Sequence, residues 1–163
     1  MNIGGETLKI EYDYIFGLPR NVVWRYIKDE KVLRNSIPGC KSFIEKSKGV
    51  YQAELEINMG PIQDSFALEI RLEEKKSADL YRLHVKGTGN IGEIAGKADL
   101  YMKEDVQGTA NLHCRAEAQV TGALALAGQR FLENGANKSM VSFFQKVEKE
   151  IKRTIYYLKR RSR

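Results

Sequence analysis

Cysteine, histidine and long apolar runs are scarce in this sequence, and each shortage excludes a class of protein. The 163 residues include two cysteines and two histidines. Cys40 and Cys114 stand far apart and outside any C-x-x-C motif, so we expect two reduced thiols and neither a disulfide nor a metal site. No run approaches the roughly 18 apolar residues that a membrane-spanning helix needs. The N-terminal MNIGGETLKI lacks a basic segment followed by an apolar stretch, so we expect no secretory signal and a cytoplasmic protein.

Recognisable catalytic motifs are also missing. No serine stands in a G-x-S-x-G elbow. The acidic pairs, such as Glu73 and Glu74, fall at predicted turns or on the wet faces of predicted strands. His84 and His113 alternate onto polar strand faces, which predicts surface histidines. We therefore expect a protein that is not an enzyme.

The net charge of +6 is concentrated in a basic C-terminal segment, residues 146–163, which holds eight basic and two acidic side chains. Its apolar stripe of Ile151, Ile155 and Leu158 is amphipathic at helical spacing. Two interpretations stay open: a surface for an anionic membrane or an acidic partner, or a helix packed on its own sheet with a solvated basic end. The sequence shows no nucleic-acid-binding module, so nucleic acid is not an expected partner. The candidate surface residues are Lys152, Arg153, Tyr156, Tyr157, Lys159, Arg160 and Arg161.

Apolar and polar residues alternate strictly along six segments of the chain, which predicts strands with one dry and one wet face. A shorter run, IEKSKG after Phe43, predicts a further edge strand. The breaks between segments are short enough for hairpin turns, so we expect an antiparallel meander. The alternating segments are 8–16, 53–59, 66–73, 81–86, 93–103 and 110–120, and the breaks are Gly49, Gly60-Pro61, 75–79, 87–92 and 105–108.

Helical spacing appears at both ends of the meander. Pro19 and the apolar residues that follow predict a first short helix, and EKVLRNSI predicts a second that ends at Pro38-Gly39. After Gly122 the apolar period changes to three and four residues, which predicts a long amphipathic helix, loosened around Asn134-Gly135.

The stretch GTGNIG at 87–92 matches G-x-G-x-x-G, the spacing of a dinucleotide-binding turn. That turn needs a helix after it, because the pyrophosphate sits on the helix N-terminus. Here EIAGKADLYMKED follows with strand alternation. The glycines therefore predict a hairpin or a close approach to another element.

Small residues are frequent in the last predicted strand and at the start of the long helix, which must face each other because the sheet has to bury its dry face. Small side chains on both elements allow either a close approach or a space between them. A curved sheet cannot approach a straight helix closely along its whole length, so we favour an apolar cavity that a ligand occupies.

The order of these elements resembles the helix-grip fold of the START/Bet v 1-like (SRPBCC) superfamily. Four stretches, with Phe143-Phe144, resemble the G subunit of carbon monoxide dehydrogenase: FGLPRNVVWRYIKDEKVLRNSIPGC at 16–40, INMGPIQDSF at 57–66, GTGNIGEIAGKADL at 87–100 and GTANLHCRAEAQVTGALALAGQRFL at 108–132. The resemblance implies a single α+β domain over residues 1–163, with a curved antiparallel sheet of about seven strands around a long C-terminal helix and two short helices after the first strand.

The resemblance also implies a function. It indicates a non-catalytic accessory protein of a molybdenum-containing dehydrogenase, with a hydrophobic pocket for a lipid-like molecule such as a quinone and no required cofactor. Some members of that family end in an apolar membrane tail, whereas this chain ends in IKRTIYYLKRRSR. We therefore expect reversible, peripheral contact with the inner face of the cell membrane.

Sequence and resemblance together define a candidate site. Trp24 is expected in the core or at the pocket rim, Pro38 and Gly39 in a structural turn or at the pocket mouth, and Arg130 in solvent or at the entrance. The residues expected to line the pocket are Met59, Phe66, Leu68, Leu83, Ala98, Leu100, Leu112, Cys114, Ala116, Phe131, Gly135 and Phe143. Two alternatives remain: an assembly adaptor that acts through its exterior, and a cyclase- or hydrolase-type enzyme with Cys114 as the nearest reactive group.

Overall fold

The computed structural model describes residues 5–75 and 80–161, which form one seven-stranded antiparallel sheet and three α-helices. The elements are β1 (Glu6–Pro19), α1 (Arg20–Tyr26), α2 (Glu30–Ser36), β2 (Cys40–Ser47), β3 (Val50–Met59), β4 (Ile62–Lys75), β5 (Leu80–Thr88), β6 (Glu93–Glu104), β7 (Thr109–Thr121) and α3 (Gln129–Arg161). Strands β2 to β7 form a meander, and β1 pairs with β7, which gives the order β1-β7-β6-β5-β4-β3-β2. The predicted α+β helix-grip fold is confirmed.

Hairpin turns lie where the breaks in alternation predict them. Gly49, Gly60 and Gly108 adopt positive φ angles of 76°, 57° and 79° between consecutive strands, a conformation that glycine adopts without steric cost. Residues 76–79 of the predicted turn at 75–79 lie outside the described part of the chain. The predicted edge strand is present as β2, which begins at Cys40, before the IEKSKG run.

The two short helices follow β1 as predicted. Pro19 is the residue before α1, where its ring constrains the backbone and no helical N–H is lost. Asp29 caps α2, because its Oδ1 accepts hydrogen bonds from the backbone N–H groups of Lys31 and Val32 at 3.0 and 3.1 Å. The start of each short helix is therefore set by the residue that immediately precedes it.

The long C-terminal helix differs from its prediction at two points. Residues Gly122–Ala127 form a 3-10 helix, and Gly128, with φ of 92°, separates it from α3. A positive φ is incompatible with a continuous α-helix, so the helical spacing that starts at Leu124 belongs to two elements. In contrast, α3 continues without a break through Asn134 and Gly135.

The dry face of the sheet and α3 bury two main apolar clusters. One surrounds Phe16, Leu112, Phe144 and Ile151, and the other surrounds Phe66 together with residues of the 3-10 helix. Within the described residues, no helix is both long enough and apolar enough to cross a membrane.

Candidate functional site

The G-x-G-x-x-G stretch forms the hairpin between β5 and β6, as predicted. β5 ends at Thr88, β6 begins at Glu93, and the two strands pair antiparallel. Asp64 accepts hydrogen bonds from Asn90 Nδ2 at 3.2 Å and from the Ile91 amide at 2.9 Å. A side chain on Gly89 would collide with Asp64 and Phe66. The glycines therefore allow close packing between hairpins.

An apolar cavity of about 340 Å³ lies between the sheet, α3 and the two short helices. Leu68, Ile70 and Leu72 of β4 form one wall, and Leu83 and Val85 of β5 continue it. Strands β6 and β7 contribute small residues, and Ser139, Met140, Phe143 and Phe144 of α3 lie opposite. Of the small residues predicted to face each other, Cys114 and Ala116 of β7 and Ser139 of α3 lie on the cavity wall, whereas those at the start of the predicted long helix do not.

Of the twelve residues expected to line the pocket, seven lie on the cavity wall. Three of them are small, and with Ser139 of α3 they leave room that larger side chains would fill. The seven residues are Leu68, Leu83, Ala98, Leu100, Cys114, Ala116 and Phe143.

The other five expected lining residues lie elsewhere. Phe66 and Leu112 are almost fully buried in the two clusters and do not lie on the cavity wall. Met59 packs its sulfur against Gly135, so this part of the small-residue stripe makes a close approach. Phe131 is 40% exposed at the start of α3, beside the turn at Gly60.

Several wall residues were not anticipated from the sequence. Ile70, Leu72 and Val85 belong to the dry faces of β4 and β5, so the strand alternation could have indicated them. The contribution of Ile27, Lys28, Leu33 and Ile37 depends on how the short helices fold over the sheet, and Phe43, Tyr51 and Leu55 on how the edge strands curve. Sequence periodicity does not report either arrangement.

The expected rim residues divide between wall, core and solvent. Pro38 lies on the cavity wall. Gly39 has φ of 73° and the Glu56 carbonyl occupies the position that its Cβ would take, so it serves a structural turn. Trp24 stacks on Tyr81 at 3.7 Å between ring centroids and belongs to the core cluster. Arg130 is exposed and does not line the cavity.

Most polar atoms along the wall are already engaged. The Tyr51 hydroxyl donates to the Lys28 carbonyl oxygen at 3.2 Å, and the Tyr81 hydroxyl lies 3.3 Å from Glu74 Oε1. Burial raises the pKa of both hydroxyls, and it raises the pKa of the Cys114 thiol to about 12. These three groups therefore remain protonated and uncharged at neutral pH.

Lys28 is the one charged side chain among the described residues that line the cavity. Its ammonium lies 3.7 Å from Glu74 Oε2 and 5.9 Å from the centroid of the Tyr81 ring. The side chain is 42% exposed, so it stands at an edge of the cavity that water reaches. The surface of the cavity itself is almost wholly apolar, so the Lys28 ammonium lies at its water-exposed edge, beside Glu74, and not within it.

The structure shows the surroundings of both histidines and both cysteines. His113 lies on the outer face of the sheet, with Nδ1 2.7 Å from Asp13 and Nε2 3.0 Å from Glu11. His84 is exposed, and its Nε2 is 3.4 Å from Glu73. Both cysteines are free thiols in the described residues.

The basic C-terminal segment forms the last turns of α3, and two of the three residues of its apolar stripe pack against the protein itself, whereas Leu158 is 51% exposed. Ile151 is fully buried and Ile155 packs against the same core cluster. Tyr156 and Tyr157 remain 63% and 59% exposed. The candidate surface residues Lys152, Arg153, Lys159, Arg160 and Arg161 are all exposed, whereas residues 162–163 lie outside the described part of the chain.

A family model that describes CoxG, the G subunit of carbon monoxide dehydrogenase, matches residues 16–152. No curated protein matches the chain in sequence. A conserved protein from Geobacillus kaustophilus has a similar crystal structure, with a TM-score of 0.80 and 27% identity over 92% of this chain and 95% of that chain.

Two further structures share the fold at low identity. The Zhui aromatase/cyclase from Streptomyces sp. R1128 has a TM-score of 0.66 and 13% identity over 92% of this chain and 96% of its own. A START superfamily protein from Mycobacterium smegmatis has a TM-score of 0.66 and 6% identity over 90% of this chain and 98% of its own. At these identities the likeness concerns the fold alone.

Proposed function

This chain belongs to the CoxG family of carbon monoxide dehydrogenase, and on that premise we propose that it is a non-catalytic accessory protein that binds a hydrophobic small molecule in its cavity. The observation that carries the proposal is the 340 Å³ space walled by aliphatic and aromatic side chains under α3. Apolar surface left in contact with water costs about 25 cal/mol per Å². A bound apolar ligand would cover the wall and remove that surface from water.

The proposed ligand is a lipid-like molecule with a polar acceptor at one end, and a quinone fits that description. Its apolar part would lie along β4, β5 and β6, and a carbonyl oxygen would accept a hydrogen bond from the Lys28 ammonium. In this setting the quinone is the electron acceptor of a molybdenum-containing dehydrogenase, and the protein carries it between the membrane and that enzyme.

The chemistry of the wall supports a binding role over a catalytic one. The Cys114 thiol, with a pKa of about 12, is a poor nucleophile because the thiolate is the reactive form. The two tyrosine hydroxyls are bonded to neighbouring groups of the protein. The Lys28 ammonium lies 3.7 Å from the Glu74 carboxylate, which holds it at the edge of the cavity. The Zhui aromatase/cyclase therefore shares the fold of this chain, and that likeness does not indicate that this chain catalyses a cyclisation.

Trp24 provides a direct test because it is the only tryptophan and stacks on Tyr81, whose ring lines the cavity. Titration with decylubiquinone should quench its fluorescence in a saturable manner. Ala116→Phe should fill part of the cavity and weaken that binding by about tenfold or more, since the added ring occupies the space that the ligand needs. Ala95→Phe, at an exposed position of β6, is the matched control and should bind as the unmodified protein does.

The same variants separate the carrier from the adaptor. A carrier with a filled cavity loses quinone binding and the ability to support its dehydrogenase, whereas an adaptor with Ala116→Phe keeps both partner binding and activity. Absence of saturable quenching, together with no lipophilic molecule in native mass spectra or solvent extracts, would exclude the carrier.

A further inference from the structure

A second concave surface lies between α2 and the C-terminal end of α3. This groove encloses about 720 Å³ and shares no lining residue with the apolar cavity. Asn35 of α2 donates from Nδ2 to Glu150 Oε2 of α3 at 3.3 Å, and Val32 and Ile151 are buried beneath. The two walls are therefore held at a fixed spacing by contacts that do not involve the apolar cavity.

The walls of the groove carry an excess of positive charge. Lys31, Arg153, Arg160 and Arg161 line it, against two carboxylates, those of Asp29 and Glu150.

Both carboxylates already have protein partners. Asp29 caps α2 through its Oδ1, and Glu150 accepts from Asn35 and from Arg153 Nη1 at 3.3 Å. The remaining cations are available to an external anion, because arginine presents several N–H donors around one planar group.

Aromatic side chains lie between these cations. Tyr26, Tyr156 and Tyr157 line the same groove. The guanidinium groups of Arg160 and Arg161 lie 5.9 Å from the ring centroids of Tyr156 and Tyr157. Tyrosine and arginine are among the side chains that most often dominate the energy of protein interfaces, because they combine apolar contact with directed hydrogen bonds.

We propose that this groove docks an acidic peptide segment of a partner protein, with an aromatic or aliphatic side chain placed between the tyrosines. The excess positive charge of the groove favours an acidic segment, and its concave shape favours a peptide over a flat partner surface. An amphipathic helix that lies on a bilayer needs an exposed apolar face. Here Ile151 and Ile155 pack inward, and Leu158, 51% exposed, is the one aliphatic residue of the stripe that faces out, which makes the exposed aliphatic face narrow and favours a peptide over a membrane.

Fluorescence anisotropy with defined peptides tests the proposal on the full chain. The probes are a labelled twelve-residue peptide rich in glutamate and aspartate with one central tryptophan, the same peptide with serine for tryptophan, and a lysine-rich counterpart. The acidic tryptophan peptide should bind best, its affinity should fall as salt rises, and the basic peptide should not bind.

Two charge-matched variants locate the site. Arg160→Glu combined with Arg161→Glu should weaken binding by about tenfold or more, whereas Lys86→Glu combined with Lys97→Glu, at exposed positions of the sheet, should change it little. Tyr157→Ala should reduce the advantage of the tryptophan peptide over the serine peptide. If both double variants lost the same affinity for the acidic peptide, binding would depend on the net charge of the protein and not on the groove, and the proposal would be overturned.

Binding to phosphatidylglycerol vesicles tests the alternative that this face contacts a membrane. Binding to these vesicles that depends on Arg160 and Arg161, with no binding to any peptide, would assign the face to a membrane and overturn the peptide proposal. The quinone titration is independent of both results, because the groove and the cavity have no residue in common.

Discussion

At the residue scale, single side chains decide whether α3 approaches the sheet or leaves a space. Gly135 admits the sulfur of Met59, and the helix and β3 make contact there. One turn further along, Ser139 faces Ala98, Cys114 and Ala116 across the cavity. Both alternatives predicted for the small residues thus occur, at neighbouring positions of one helix.

Lys28 should determine which apolar molecules bind well. We expect Lys28→Met to weaken decylubiquinone binding by about tenfold, since a charge-assisted hydrogen bond is worth roughly 1.5–3 kcal/mol. Binding of N-phenyl-1-naphthylamine, which has no carbonyl oxygen, should change little. Both affinities are measured by fluorescence, with Lys46→Met at an exposed position of β2 as the control. Equal loss for both probes would mean that Lys28 supports the cavity structurally and does not select a head group.

At the element scale, α3 is attached to β1 through glutamates along one side of the helix. Glu133 accepts a hydrogen bond from the Lys9 amide at 2.8 Å. Glu148 accepts from the Tyr14 hydroxyl at 3.1 Å and from the Gly17 amide. The pairing of β1 with β7 shifts register between Ile15 and Pro19, and the amide of Gly17 within that interval bonds to the helix. These bonds fix the height of α3 above the sheet.

Glu148→Ala should therefore destabilise the protein by about 1–3 kcal/mol, because the Gly17 amide and the Tyr14 hydroxyl lose their acceptor. Glu148→Gln should cost less, since its amide oxygen still accepts. Urea denaturation gives both values, and Lys149→Ala on the exposed side of α3 is the control. A loss in Lys149→Ala as large as that in Glu148→Ala would refute the docking role of Glu148.

At the scale of the whole molecule, burial of several weak acids makes the free energy of unfolding decrease at alkaline pH. Burial raises the pKa of Cys114 and Tyr14 to about 12, and it also raises those of Tyr51 and Tyr81. Below the pKa values of the unfolded chain, which begin near 9 for cysteine, both states are protonated and stability is unaffected. Above them the unfolded state ionises first, so stability falls as pH rises towards 12.

The Cys114→Ala variant measures one part of this effect. Removal of that thiol should make the decline between about pH 9 and pH 12 shallower by about 1.4 kcal/mol per pH unit, the equivalent of one proton. Only the slope is compared, because the smaller side chain also changes stability at neutral pH. Urea denaturation at several pH values provides the data. An unchanged slope would show that folding does not raise the pKa of the Cys114 thiol.

The sequence alone was sufficient for the strands, most turns and the small-residue walls, because those features depend on local periodicity. Alternation places a residue on the dry face of a strand, but it does not say whether a helix packs against that residue or leaves a gap above it. Hence alternation predicts Phe66 and Leu112 on the pocket wall although neighbouring residues cover them almost completely, and it gives no signal for Lys28. Only the tertiary structure decided these positions, because long-range bonds such as that between Gly17 and Glu148 set the distance between helix and sheet.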